Sequence, residues 1–103
     1  SGNSIINNLI GLDKNGQAAL ANGDGIRING ASNVIRDNIV TGNTVDGIVL
    51  SGAGANGNAI IGNDIGGGLG VFSVVVGNGR MGVMVQNGAY GNQIGPDNRV
   101  GRN

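Results

Sequence analysis

A short internal repeat constrains this chain more than any other feature. One complete unit lies at 33–57, where residues 33–40 read NVIRDNIV and residues 46–50 read DGIVL after a polar corner. The first half recurs from Asn3, from Asn58 and more loosely from Asn92, and the second half recurs at 24–28 and 81–85. Because a unit this short buries its apolar residues only against copies of itself, the repeat predicts an array of stacked units.

Equivalent asparagines divide the chain into repeat units. Asn3, Asn33, Asn58 and Asn92 lie 30, 25 and 34 residues apart. One domain covering 1–103 is therefore predicted, with units 1 to 4 at about 3–32, 33–57, 58–91 and 92–103. Each complete unit is expected to form one coil, giving about three and a half coils, and the unequal lengths indicate that the corners absorb the variation.

The apolar residues occur in runs of two to four, rich in Ile and Val and separated by Gly, Asn, Asp and Ser. This pattern predicts an all-β fold of short strands and tight turns, since no segment carries a sustained helical period. Each unit offers three strand positions, so stacking predicts three short parallel sheets around a narrow apolar interior. Alternation directs the columns Ile26/Ile48/Val83 and Ile28/Leu50/Val85 inward and the column Arg27/Val49/Met84 outward.

Two further columns of equivalent residues lie at the corners between strands. Gly25, Gly47 and Gly82 precede the third strand position, where a Cβ is expected to obstruct the bend. A column of asparagines between the first two sheets predicts a hydrogen-bonded ladder, in which each asparagine adopts a left-handed conformation and its amide bonds to the neighbouring coil. The column consists of Asn8, Asn38, Asn63 and Asn98.

The composition excludes several classes of function. Six basic residues balance six acidic ones, which argues against binding to nucleic acid. Without cysteine, glutamate or histidine, the chain has no disulfide, no zinc–cysteine site and no Ser–His or Cys–His nucleophile. No apolar run approaches the roughly 20 residues that span a bilayer. With 23 glycines, one Phe and one Tyr, the interior must consist of small aliphatic side chains.

The pattern N-x-I-x-x-N-x-I followed by D-G-I-x-I resembles the right-handed parallel β-helix repeats of the pectate-lyase-like superfamily, over nearly the whole chain. Residues 8–23 are similar to an insertion in large bacterial surface and secreted β-helix proteins. The resemblance implies a right-handed parallel β-helix, or β-solenoid, and a secreted or cell-surface location. The superfamily includes polysaccharide lyases, hydrolases and uronan epimerases, so a polysaccharide is the implied ligand class.

Insertions at one corner predict a binding cleft. Gly25 lies 15 positions after Ile10 and Gly82 lies 17 positions after Ile65, whereas Gly47 lies only 7 positions after Val40. The two longer segments are expected either to form walls over a floor at 41–46, since inserted segments often carry binding residues, or to pack as covers against neighbouring coils. The candidate binding residues are Asp13, Asn43, Thr44, Asp46, Asp64 and Arg80. No cofactor is required, although Asp13, Asp46 and Asp64 are candidate Ca²⁺ ligands; turn formation explains these aspartates equally well.

Three functions remain open. The first is a noncatalytic scaffold from a larger secreted or cell-surface protein, with glycan binding as an added activity that the scarcity of aromatics disfavours. The second is a lyase or epimerase with Arg27 or Arg36 as base and Asp46 near a metal, although neither arginine has charged neighbours in its column. The third is a self-associating module that uses the coil ends or the apolar segment 71–76, unless further coils of a longer parent cover those surfaces.

Overall fold

The computed structural model of the protein describes residues 1–12, 22–66 and 78–101. In these segments the chain forms short strands and no helix. In chain order the strands are β1 Ser4–Ile6, β2 Leu9–Ile10, β3 Ile26–Ile28, β4 Val34–Arg36, β5 Ile39–Val40, β6 Ile48–Ser51, β7 Ala59–Ile61, β8 Asp64–Ile65, β9 Val83–Gln86, β10 Gln93–Ile94 and β11 Arg99–Val100.

The strands form three parallel sheets. The first sheet has the order β1-β4-β7-β10, the second β2-β5-β8-β11 and the third β3-β6-β9. The first two sheets take one strand from each of the four units and the third takes one from each of units 1 to 3, so the units lie on one another in chain order. The predictions of an all-β chain and of three parallel sheets are confirmed, and the arrangement is solenoid-like.

The register agrees with the columns that the repeat predicts. In the first sheet Ile35 pairs with Ile5 and Ile60. In the third sheet Ile48 pairs with Ile26 and Val83. Equivalent residues are thus adjacent in spite of the unequal lengths of the units.

A narrow apolar core runs through the sheets. It consists of Ile26, Ile28, Ile35, Val40, Ile48, Leu50, Ala55, Ile60 and Ile65. The inward residues of unit 4 continue this core but are uncovered on one side, so that Ile94 is 48% and Val100 53% exposed. Val49, at an outward position, is fully buried although it does not belong to the core cluster.

The glycines that precede the third sheet are required by close approach. A Cβ on Gly47 would lie 2.6 Å from the carbonyl oxygen of Gly82 and 2.9 Å from a methyl group of Ile65. A Cβ on Gly25 would lie 2.7 Å from the carbonyl oxygen of Gly47. The expectation that a Cβ would obstruct these bends is therefore confirmed at both positions.

The left-handed residue of each corner is not the asparagine that we expected. Positive φ occurs at the residue before it, for example 58° at Asp37 and 65° at Gly62. The same holds one corner earlier, with 58° at Ser32 and 63° at Gly57. The prediction that Asn38 itself is left-handed is wrong, because the preceding residue reverses the chain.

Candidate functional site

The predicted asparagine ladder is present between the first and second sheets. Asn8 donates its backbone N–H to Oδ1 of Asn38 at 2.9 Å, Asn38 donates to Asn63 at 3.0 Å, and Asn63 donates to Asn98 at 2.9 Å. The side-chain amide of each donor reaches the same acceptor oxygen at 3.0–3.2 Å. Each asparagine thus joins its unit to the next.

Asn63 shows how completely the ladder uses an asparagine side chain. Its Oδ1 accepts two bonds from Asn38, and its Nδ2 donates to Oδ1 of Asn98 and, at 2.9 Å, to the carbonyl oxygen of Ile35. The side chain is buried, with 1% of its surface exposed. A buried amide with all its bonds made stabilises one arrangement of the units, because any slip in register leaves polar groups unpaired.

Sequence reasoning missed two further ladders. The first connects Asn3, Asn33, Asn58 and Asn92, with backbone donor distances of 2.8–3.0 Å. The second connects Asn22, Asn43 and Asn78, at 3.4 and 3.2 Å. A glycine directly precedes six of the asparagines that form the ladders, namely Asn3, Asn43, Asn58, Asn63, Asn78 and Asn92. This dipeptide was the available signal, since glycine adopts the left-handed conformation without strain.

The predicted cleft floor, residues 41–46, includes Asn43, which belongs to the ladder that connects Asn22, Asn43 and Asn78. Asn43 is 2% exposed and its amide bonds to Oδ1 of Asn78 at 2.9 Å. Thr44 is exposed, and its hydroxyl donates to the carbonyl oxygen of Asn22 at 3.0 Å. The amide of Asn43 is therefore used inside the protein, whereas Thr44 lies on the surface.

Asp46 and Arg80 form a bidentate ion pair at the same corner. Arg80 Nε donates to Asp46 Oδ1 at 2.9 Å and a terminal nitrogen of Arg80 donates to Oδ2 at 2.6 Å. The Met81 backbone N–H also donates to Oδ1 at 3.0 Å. The carboxylate is 1% exposed and the arginine 54%. Both carboxylate oxygens are thus bound within the protein.

Hydrogen bonding from Arg80 lowers the pKa of the Asp46 carboxyl from its ordinary value of 3.8. Burial acts in the opposite direction, and the Met81 N–H and the arginine charge lower the pKa further. Asp46 in turn raises the pKa of Arg80. The pair is therefore ionised at neutral pH, which leaves Asp46 unsuited to act as a general acid there.

Asp64, another predicted ligand, lies on a different element from Asp46. Asp64 lies on the outer face of the second sheet beside Ile39, and its buried Oδ1 has no hydrogen-bond partner. Asp13 and the segment 71–76 lie outside the described residues. Within 1–12, 22–66 and 78–101, no group of three or more carboxylates could hold a metal ion.

Both arginines nominated as bases carry a local counterion. Arg27 contacts Asp24 at 3.2 Å, and Arg36 contacts Asp37 at 3.4 Å. These pairs are partly exposed, so their contribution to stability is small. The side chain that each nomination would use is therefore already engaged with a nearby carboxylate.

A cavity of about 210 Å³ opens on the outer end of unit 1. Its walls include the inward side chains of Ile5 and Ile28 and the ladder residues Asn3 and Asn33. Asn3, Ile5 and Ile28 belong to unit 1, whereas Asn33 belongs to unit 2.

Comparison with protein-family models, with curated proteins and with solved structures finds no match to the chain. In the described part of the chain, no helix is long and apolar enough to cross a membrane.

Proposed function

We propose that the chain is a noncatalytic repeat scaffold, a β-solenoid segment that holds its shape through stacked units. The observation that carries this proposal is the set of three asparagine ladders. The ladder asparagines at the corners, a polar residue type that in many proteins provides binding, bond here to neighbouring units. Asn38, Asn58 and Asn63 are each 1% exposed. A scaffold role requires no other use of these amides.

The finer form of the proposal is a right-handed parallel β-helix of about three and a half coils, belonging to a larger secreted or cell-surface protein. The parallel sheets and the regular columns support the coiled form. The resemblance of the repeat to pectate-lyase-like β-helices supports the hand and the location.

A duplication of unit 2 tests the scaffold. Residues 33–57 would be copied in tandem after Gly57, so that Asn33, Asn38 and Asn43 of the copy extend all three ladders. The stability of stacked repeats grows with each added interface. We expect the longer chain to fold with more strand signal and a higher melting temperature than the parent.

The matched control inserts the same 25 residues in scrambled order at the same position. It should lower stability, since a long insert lengthens the corner and adds no ladder. A duplicated chain that is no more stable than this control would contradict the stacked-unit scaffold.

Enzymatic and glycan-binding activities are tested separately. Incubation with polygalacturonate and alginate is expected to yield no unsaturated product. Formation of such a product would overturn the scaffold proposal and indicate a lyase. A glycan array then distinguishes an inert scaffold from one whose outer faces bind sugars through residues such as Arg36 and Thr44, both of which are exposed.

A further inference from the structure

Unit 3 contains the same dipeptide in two different environments. Asn78 and Gly79 lie in the corner before β9, and Asn87 and Gly88 lie in the corner after it. An asparagine that precedes glycine loses its side-chain amide more readily than other asparagines, because glycine has no side chain to obstruct attack by its own backbone nitrogen. The fold therefore determines which of the two asparagines reacts.

The first dipeptide is held by its ladder. Asn78 is 4% exposed, and its Oδ1 accepts the backbone N–H of Asn43 at 3.2 Å and the Asn43 amide at 2.9 Å. Its Nδ2 donates to the carbonyl oxygen of Val40 at 3.1 Å. The backbone N–H of Gly79 donates to the carbonyl oxygen of Asn43 at 2.8 Å. The side-chain amide and the nitrogen that would attack it are thus both bonded to unit 2.

The second dipeptide forms the centre of a surface turn. Asn87 and Gly88 are exposed, and the turn is closed by the Ala89 N–H, which donates to the Gln86 carbonyl at 3.2 Å. Asn87 Nδ2 donates to Oγ of Ser51 at 3.0 Å. Among the described residues, no acceptor binds the Gly88 N–H and no donor reaches Asn87 Oδ1. The attacking nitrogen and the amide carbonyl are therefore both open to water.

The openness of this turn is a property of the corner. The corresponding turn of unit 2 is closed by the Ala55 N–H, which donates to the Gly52 carbonyl at 3.0 Å. Its central residues, Ala53 and Gly54, are exposed although units 1 and 3 flank them. The Gly54 N–H also has no acceptor in the described part of the chain. A neighbouring unit thus leaves this turn accessible.

Ring closure requires a rotation that the turn allows. Asn87 has a φ of 55° and Gly88 a φ of 85°, a conformation that asparagine and glycine adopt readily. Rotation about the Cα–C bond of Asn87 brings the Gly88 nitrogen to Cγ, and it breaks the bond to Ser51 and the one turn bond. The same rotation at Asn78 would break the buried ladder bonds, so it requires the corner to open first.

We propose that Asn87 is a site of spontaneous deamidation, with water as the only co-reactant. The Gly88 nitrogen loses its proton to water or hydroxide and attacks Cγ of Asn87, in an intramolecular reaction that proximity favours. The bond from Cγ to Nδ2 breaks, and Nδ2 takes up a proton and leaves as ammonia, which produces a five-membered succinimide ring. Water then adds to either ring carbonyl and breaks its bond to the ring nitrogen, giving aspartate or isoaspartate at position 87.

The products change the charge and the shape of this corner. Either one adds a negative charge to a chain whose six acidic and six basic residues balance, and removes the donor that binds Ser51. Isoaspartate also lengthens the main chain by one methylene group inside the turn. The corner after β9 therefore changes with the age of the protein, whereas the ladder at Asn78 persists.

Peptide mapping of folded protein kept in mildly alkaline buffer tests the site, since the attacking nitrogen must lose its proton. Trypsin cleaves after Arg80, so Asn78 and Asn87 fall in different peptides. We expect deamidation to be at least about tenfold faster at Asn87 than at Asn78, because Asn78 reacts only from an opened state. Equal rates, or a faster reaction at Asn78, would overturn the proposal.

The same incubation in urea is the matched control, because no fold then distinguishes the two dipeptides. Their rates should agree within about threefold there; a ratio in urea as large as in folded protein would attribute the difference to local sequence and overturn the role of the turn. Fragment spectra separate isoaspartate from aspartate. Both are expected at position 87, and aspartate alone would indicate direct hydrolysis and exclude attack by Gly88.

Discussion

Replacing Asn38 with alanine measures what a ladder position inside the stack contributes. The change removes the Nδ2 bonds to Asn63 at 3.0 Å and to the Ile5 carbonyl at 2.9 Å, and it removes the oxygen that accepts two bonds from Asn8. Water can replace the partner of Asn8, which is exposed, but not the partners on the buried side. At about 0.5–1.5 kcal/mol for each net bond, plus a small cavity, we expect a loss of about 2–3 kcal/mol.

Asn8→Ala is the matched control, because it is the same substitution in the same ladder at the end of the stack. The Asn8 side chain donates to Asn38 and to its own neighbour Ile6, each at 3.1 Å. The backbone bond to Asn38 persists in the variant. The expected loss is below about 1 kcal/mol, since the amide is exposed and water replaces its bonds. Asn63→Ala, with partners on both sides, should lose at least as much as Asn38→Ala.

Urea denaturation followed by circular dichroism provides the free energies of unfolding, with an unchanged m-value showing that the variants unfold in the same way. Every variant should be measured at the same protein concentration. Equal losses at positions 8 and 38 would refute the stacked ladder. A loss below about 1 kcal/mol at position 38 would refute the claim that its bonds are buried and made.

Other predictions follow from single positions. Gly47→Ala should lower the free energy of unfolding by about 1–3 kcal/mol, because the new Cβ would lie 2.6 Å from the Gly82 carbonyl oxygen. Gly23→Ala, where a Cβ would meet no atom within 4 Å, should lower it by less than about 1 kcal/mol. Thermal melts compare the two variants, and equal losses would contradict the close approach. Ser32→Gly should stabilise by about 0.5–1 kcal/mol, because Ser32 has a φ of 58°, and a decrease in urea midpoint would contradict this. Asp46 has a lowered pKa, so its contribution is complete above its ordinary value of 3.8 and is lost as pH falls through the lower folded value. Asp46→Asn should therefore have a lower free energy of unfolding than wild type at pH 7, and this free energy should fall less steeply in acid than that of Asp97→Asn. Equal slopes of stability against pH for the two variants would exclude this contribution of Asp46.

The strands and their register could be predicted because alternation records which side chains face the interior. Ile35 and Ile60 are identifiable from the repeat alone, and they pair as expected. The conformation of the corners could not be predicted in the same way. At Asp37 the chain reverses through a positive φ of 58°, and apolar alternation contains no information about that residue. The glycine that occupies the equivalent position in other corners, such as Gly62, was the better guide.

The candidate site was predicted less well, since it depends on which groups of different units meet. Asp46 and Arg80 were placed at one corner from sequence, yet their direct pairing requires the backbone bonds that set unit 3 on unit 2, such as Arg80 N–H to the Val45 carbonyl at 2.6 Å. Asn43 was interpreted as a ligand because an amide in a polar corner suits binding. In the folded chain the same amide accepts and donates between units, which no local pattern distinguishes from a free one.

The number of ladders at each junction determines where this chain can perform a further role. Unit 2 is joined on both sides by all three ladders, through Asn33, Asn38 and Asn43, each of which donates to unit 3 and accepts from unit 1. Unit 4 is joined by two ladders on one side only. Since stability in stacked repeats is the sum of such interfaces, the ladder amides of unit 2 are committed to structure. Recognition of another molecule by unit 2 is then left to its outward side chains.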